Sequence, residues 1–492
     1  MNKGLLLGIA MLGAAQCIVA QEQLGIRLDH YNGINAALLN PAGHAATPFT
    51  WDVNLLEGAF FVSNNYTYTT PMKLSDWLKD PDQLDIAFGP DITPEKPLPP
   101  GARKVDFYTP DRSLYAKAQV SLMGPSFYVR LGQNHTIGVL TRFRVAGNVD
   151  DVDPNLAYYP YFNRDFFQDF RVSKINAGAM AWSEIGLNYA YRLPVSNGSL
   201  SIGFTAKYLQ GYEAAYFNNK TDFQLSKQPG DTLSGGPIHF EFGYTNSNFM
   251  GDEYALQRNG SGLGFDLGVM YVSGEEDGNF TWRWGVALLD VGKVNFTANA
   301  RQHLTQTEAV SIVGADAFES FNRRDEFEEA IIQVFSEQVL QDSNASLQSN
   351  DFAMRLPTAI SLQAERALMP NVYLGAALIE GLPTRNAAVQ RGSLLAITPR
   401  YTHRWFGASL PISLYQWQRL RLGLALRLGF ITIGSEHLGS LFKRSEFYGA
   451  DFYFAIKVNP FKIGEKQARP SRRSVAPRRR GGGGSNVKCY EF

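Results

Sequence analysis

The sequence predicts an all-β protein, a single antiparallel transmembrane β-barrel of roughly 12–14 strands with an N-terminal plug segment and one helix in a long outer loop. Three observations predict it. Segments of about ten residues alternate strictly between apolar and polar side chains, the period of a strand with two different faces. Their connections alternate between short turns and long loops, as in a barrel whose turns all lie on one side of a bilayer. The composition agrees: of 492 residues, 45% are hydrophobic and only 19% charged, with a mean hydropathy of −0.19. Beyond the first twenty residues no apolar run approaches the ~18 residues of a membrane helix, which excludes a helical membrane protein. The 13% aromatic content excludes a disordered chain.

Residues 1–20 read as a secretory signal. Lys3 is its positive start, Leu5–Ala15 its apolar stretch, and Ile18-Val19-Ala20 its small-residue cleavage site before Gln21. Gln16 precedes Cys17 where a lipoprotein signal needs a small residue, so ordinary cleavage is expected. Cys489 is then left alone, with neither a disulfide partner nor a second thiolate for a metal. Residues 21–50 are expected to fold inward as the plug, and residues 51–461 to form the barrel.

The clearest strand sets Leu420, Leu422, Leu424, Leu426 and Leu428 between Arg419, Arg421 and Arg427; a period of two puts the leucines on one face and the arginines on the other. Residues 114–122, 137–145, 200–206, 280–288 and 450–458 repeat the pattern. Short turns are expected at 132–135, 194–198, 274–279, 368–371 and 415–418, and long connections at 64–113, 148–174, 218–260, 300–352, 381–392 and 435–447. This spacing gives about twelve strands, and pairing of residues 238–244 with 212–226 raises the number to about fourteen. An even number places both chain ends in the periplasm.

Residues 316–341 break the rule. Phe318, Phe321, Phe327, Ile331, Val334 and Phe335 fall at helical intervals, an amphipathic helix in an outer loop that either packs on the rim or acts as a lid. From residue 462 the chain carries nine basic and two acidic residues, against 36 basic and 44 acidic over 21–461. This tail, with Arg472, Arg473, Arg478, Arg479 and Arg480 beside Gly481–Gly484, cannot form a core. It is expected either to hold an anionic periplasmic or envelope partner or to remain a solvated end.

Ahead of the first strand stand Tyr31-Asn32-Gly33-Ile34-Asn35 and Leu38-Leu39-Asn40-Pro41-Ala42-Gly43. Asn40-Pro41 is a turn by its own chemistry, since Pro fixes φ and Asn bonds its own backbone. The far end reads Ile433-Gly434-Ser435-Glu436-His437-Leu438 and Gly449-Ala450-Asp451-Phe452-Tyr453-Phe454. Together these pieces resemble an uncharacterised Bacteroidota family of outer-membrane barrels, a domain of unknown function that opens with the same N-P-A segment. That family is similar to the FadL long-chain fatty-acid transporter superfamily. The resemblance implies an outer-membrane barrel with an inward-folded N-terminal segment turning at Asn40, Pro41 and Ala42, and no established substrate.

No catalytic or metal-binding constellation is visible. The seven histidines form no H-E-x-x-H spacing, and neither a nucleophile elbow nor a phosphate loop occurs. No enzyme activity, cofactor or nucleic-acid partner is expected. The polar strand faces carry Lys117, Arg142, Arg144, Lys207, Arg283, Arg419, Arg421, Arg427 and Lys457, opposed by Glu184, Asp266, Glu365 and Asp451. These basic residues are the candidate lumen lining. A basic lumen favours anionic solutes or carboxylate-headed lipids. The alternative is a set of internal ion pairs, with plug acids such as Glu22 and Asp29 satisfying the arginines. Two functions follow: passive FadL-like uptake of a hydrophobic or anionic small molecule, or a non-transporting scaffold subunit of an envelope complex. Outer-membrane lipid surrounds the protein in both.

Overall fold

The computed structural model describes residues 22–460, apart from 73–85, 89–91, 93, 95–96, 101, 109–112, 153–166, 229–231, 246–255, 275–279, 314–335, 338, 343, 384–386 and 443–444. The expected signal, nearly all of the expected helix over 316–341, and the tail arginines Arg472, Arg473, Arg478, Arg479 and Arg480 lie outside the described residues.

Fourteen antiparallel strands close into one barrel. They are β1 (Trp51–Asn64), β2 (Leu114–Met123, continued by Ser126–Leu131), β3 (His135–Val152), β4 (Asn176–Val195), β5 (Gly198–Asn219), β6 (Gly260–Ser273) and β7 (Trp282–Phe296). There follow β8 (Phe352–Arg355 and Ala359–Met369), β9 (Val372–Gly381), β10 (Leu394–Thr402), β11 (Phe406–Ser409 and Ile412–Tyr415), β12 (Arg419–Leu422 and Leu424–Leu428), β13 (Ile431–Ser435) and β14 (Gly449–Val458). Each pairs with its neighbour in sequence, and β14 returns to β1 in register from Val53↔Val458 to Ser63↔Gly449. In lipid an open edge would leave backbone groups unsatisfied, so this seam makes the wall viable.

The route to fourteen differs from the spacing argument in three places. The turns at 403–405 and 429–430 escape it, because Pro411 breaks β11 into two four-residue pieces and β13 has only five residues, too few to show a period. Residues 415–418, expected among the short turns, connect strands at the loop end of the barrel. Ile238–Thr245 is no wall strand. It pairs with the upper part of β5 and with Ala300–Thr307, extending the ladder beyond the barrel.

Alternation sorts the wall into two faces. Outward side chains are apolar and exposed, Leu187 to 63% and Leu420 to 72%, while their neighbours Asn188 and Arg421 are buried inward. On β4 this exposed row runs from Ile185 to Val195, which at ~3.3 Å per residue and a tilt near 40° spans about 25 Å, the height of a bilayer's apolar core. The lumen is occupied by the chain's own start. Residues 22–49 form a helix at Leu24–Arg27 and 3-10 turns at Gly33–Leu38 and Gly43–Ala46, and nearly every residue is buried against inward wall side chains.

A charge placed in the outward row tests this sorting. Leu187→Arg is expected to lower stability in a phosphocholine bilayer by about 2–4 kcal/mol. Leu187→Phe should be close to neutral, both read as denaturant midpoints of heat-modifiable gel mobility.

Candidate functional site

The interior is layered. At its centre the Asn40-Pro41-Ala42 turn rests on a seat of three inward glycines. A β-carbon at Gly203 of β5 would lie 2.3 Å from the Pro41 carbonyl carbon, and one at Gly268 of β6 2.2 Å from Asn40 Oδ1. At Gly285 of β7 it would lie 2.9 Å from Asn40 Nδ2. The turn closes on itself through Ala42 N–H donating to Asn40 Oδ1 at 2.9 Å. The wall grips it from both sides: Asn188 Nδ2 donates to the Pro41 carbonyl at 3.2 Å and Gln363 Nε2 to the Leu39 carbonyl at 2.9 Å. Asn40 Nδ2 reaches the Val269 carbonyl at 3.0 Å.

Beside the seat lies a buried charged layer. Arg144 contacts Asp290 at 2.9 Å and Glu184 at 3.3 Å, and Lys207 contacts Asp290, Asp266 and Glu184 at 2.7, 2.8 and 3.5 Å. Arg142 donates to Ser121 Oγ at 2.7 Å and lies 3.8 Å from Glu184. Arg391, from the loop between β9 and β10, clamps Glu22 at 2.6 Å and lies 3.6 Å from Asp290. Arg27, 3.2 Å from Glu22, adds a fifth cation and the buried Glu57 beside it a fifth carboxylate, so charges balance here and burial is tolerable.

Toward the loop end the lumen turns apolar. Met180, Trp182, Leu209, Tyr216, Val294, Phe296, Phe352 and Met354 pack into one buried cluster, and Ala387 and Val389 of the same loop join it from above. The loop is stitched to the wall by Arg355 N–H to the Ala387 carbonyl at 2.9 Å and Val389 N–H to the Arg355 carbonyl at 3.2 Å. Gly178 admits it, since a β-carbon there would meet the Ala388 carbonyl at 2.3 Å. Arg144 joins the two layers, its guanidinium 4.6 Å from the Trp182 ring.

Toward the turn end the lining is aromatic and cationic. His30 stacks on Tyr373, and Phe280 lies against both. Arg283 and Arg400 share Glu365, and Arg427 holds Asp29 at 3.2 Å. Lys457 pairs with Asp52 at 3.3 Å and also donates to the Tyr31 and Asn32 carbonyls.

Of the nine basic residues singled out in sequence, eight are buried inside the barrel. Six sit in the two charged layers just described, Lys117 meets Asp150 at 2.7 Å, and Arg421 donates to Ser63 Oγ beneath the Tyr415 ring. Arg419 stands apart at the loop-end rim, half-exposed between the rings of Tyr108 and Tyr448. Four site residues escaped sequence reading. Asp290 reaches the lumen only because a bulge opposite Phe265 and Leu267, with φ +55° at Asp290, switches which residues of β7 face inward. Arg391 comes from a loop, Arg400 from a strand whose polar face was not singled out, and Glu436 from the residue just past β13.

Outside the strands, burial aided by Arg283 pushes His30 down to about 4, and burial pushes His44 down to about 3. Both rings are therefore neutral near pH 7. Glu436 accepts Leu24 N–H at 2.5 Å and is pushed up to about 8, first by burial and then by neighbouring Asp451.

No curated protein matches the chain. The profile of a family described as of unknown function, DUF5723, matches residues 41–436. Among solved structures the chain is similar to a Pseudomonas aeruginosa FadL homologue, at 12% identity over 90% of this chain and 98% of that one, with a TM-score of 0.41. It is also similar to the Pseudomonas putida toluene transporter TodX, at 9% identity, 87% and 94% coverage and a TM-score of 0.37. The Ralstonia pickettii toluene transporter TbuX follows at 10% identity, 87% and 94% coverage and a TM-score of 0.35.

Two substitutions test the seating of the N-terminal segment. Gly268→Val drives a side chain into Asn40, and overpacking of this kind costs about 1–3 kcal/mol. Trypsin should then cut at Arg27 in folded barrels, where the wild-type protein resists. Glu436 supplies a pH test. Its folded pKa lies above the ordinary 4.5, so its contribution is most favourable below 4.5 and is lost as pH rises toward about 8. Glu436→Gln should therefore flatten the fall in heat-modification midpoint between pH 5 and 8. Parallel curves for both proteins would remove Glu436 from the anchor.

Proposed function

The chain belongs to the DUF5723 family of unknown function, and we propose that it is an outer-membrane carrier for a hydrophobic or amphipathic small molecule, admitted at the loop end. The turn end and both chain termini face the periplasm in this reading, and residues 22–49 serve as the plug. The observation that carries it is the buried apolar cluster around Trp182 and Met354, inside the lumen of a barrel whose outer face already meets lipid. Stability of the wall does not call for a second apolar surface inside, since barrel interiors are ordinarily polar. The cluster is roofed by Ala387 and Val389, which belong to a loop, and floored by charged groups and the N-terminal segment. A binding pocket for an apolar chain has this form: an apolar lining with a few polar groups at one end.

The signal-like residues 1–20 and the N-P-A resemblance support the same location and class. Uptake of a pyrene-labelled fatty acid into proteoliposomes tests the carrier. Wild-type protein should exceed empty vesicles. Val389→Asp, which puts a charge into the roof from a loop and changes no wall strand, should reduce the gain several-fold while gel mobility stays heat-modifiable. Uptake equal to that of empty vesicles would sink the carrier and favour the scaffold, whose mark is stoichiometric co-purification of envelope partners that survives high salt.

A further inference from the structure

At the turn end one cation is left over. Arg283 on β7 gives Glu365 Oε1 both its Nε and Nη2, at 2.6 and 2.5 Å, and Arg400 on β10 reaches Glu365 Oε2 with its Nη2. The reach is possible because Gly375 stands between them on β9, opposite Glu365; a β-carbon there would sit 3.1 Å from Arg400 Nη1. One carboxylate thus serves two guanidiniums. Asp29, the next acid, is committed to Arg427 and to Tyr31 N–H at 2.7 Å. Arg400 Nε and Nη1 are buried and have no acceptor among the described residues. A second buried polar atom, His30 Nδ1, is also without a partner. Both groups pack on one ring: the Arg400 guanidinium lies 5.2 Å from the Tyr373 centroid, and His30 stacks on it at 5.8 Å with the planes 13° apart.

Buried charges are paired, and a guanidinium cannot shed its proton to escape the requirement. The missing partner is an anion with acceptor oxygens. We infer that Arg400 and His30, with Tyr373 and Phe280 as apolar walls, form a binding station for the carboxylate of an apolar-chain acid. This rests on the carrier reading and deepens it. The loop-end cluster and the turn-end station are then two separate sites, on opposite sides of the Asn40-Pro41-Ala42 turn. Because His30 belongs to the N-terminal segment and Arg400 to the wall, an acid bound between them also ties the two together.

Binding is read as the rise in heat-modification midpoint of the full-length protein in dodecyl maltoside, with decanoate, decanol and acetate as probes. Decanoate should raise the midpoint of the wild type well above the rise given by decanol, which lacks the head, and acetate at equal concentration should not raise it. Arg400→Gln should weaken the apparent decanoate affinity about tenfold, the worth of a hydrogen bond to a charged group. His30→Phe keeps the stack on Tyr373 and removes the nitrogen; its partial loss decides the matter if Arg400→Gln fails to fold. A decanoate effect unchanged in both variants, or matched by decanol, overturns the station. An acetate effect equal to that of decanoate overturns its assignment to a chain-bearing acid. Since the measurement needs no transport, decanoate binding that survives alongside failed vesicle uptake would sink the carrier reading and leave the station standing.

Discussion

Everything in this fold follows from the seam between β1 and β14. A wall in lipid can leave no backbone donor or acceptor unmatched, so the first strand must find the last, and the ladder from Val53↔Val458 to Ser63↔Gly449 does so. Closure then dictates the faces. Apolar side chains turn to the bilayer, and every arginine, lysine and carboxylate on the alternate positions is forced into a common interior. Eight strands make a barrel that its own side chains can fill; fourteen leave a lumen that they cannot. The surplus is taken up by the first described residues of the chain, whose Glu22 and Asp29 answer Arg391 and Arg427.

Charge does not decide where those residues sit. Positions are set by missing side chains: Gly203, Gly268 and Gly285 under the Asn40-Pro41-Ala42 turn, and Gly178 under the 387–389 stretch. Hydrogen bonds from Asn188 and Gln363 then hold what the glycines admit. Steric room of this kind is more selective than an ion pair, because a guanidinium on a long stem can follow a shifted carboxylate by several ångströms, while a carbonyl against a glycine tolerates a few tenths.

This division explains what the sequence disclosed. Period-two alternation over ten residues is a property of one strand, so the leucine row of β12 and the arginines facing it could be read directly. The N-P-A turn was legible because Asn and Pro have strong local preferences. Its seat was not: an inward glycine looks the same as any other until the segment above it is placed. Asp290 was hidden for a different reason, since the bulge at that position shifts the period by one and presents an apparently out-of-phase residue to the lumen. Arg391 lies in a loop where no period exists, and the turns at 403–405 and 429–430 each adjoin a strand, β11 or β13, whose pieces are too short to have one.

The sign of the lumen shows why a count of basic residues along the polar faces is a poor guide to selectivity. In the central layer Arg27, Arg142, Arg144, Lys207 and Arg391 lie among Glu22, Glu57, Glu184, Asp266 and Asp290, and most of those cations lie against two or more carboxylates. A layer whose cations and carboxylates match in number has little preference for a passing anion, because admitting one would leave a carboxylate already in place short of its partner. Preference can arise only where the pairing is uneven. The turn-end layer is such a place, with Arg283 and Arg400 on a single Glu365, and the loop end offers a mainly apolar cluster. In the carrier we propose, a molecule with a long apolar chain and one acidic head suits the loop-end cluster and the uneven turn-end layer better than the matched centre.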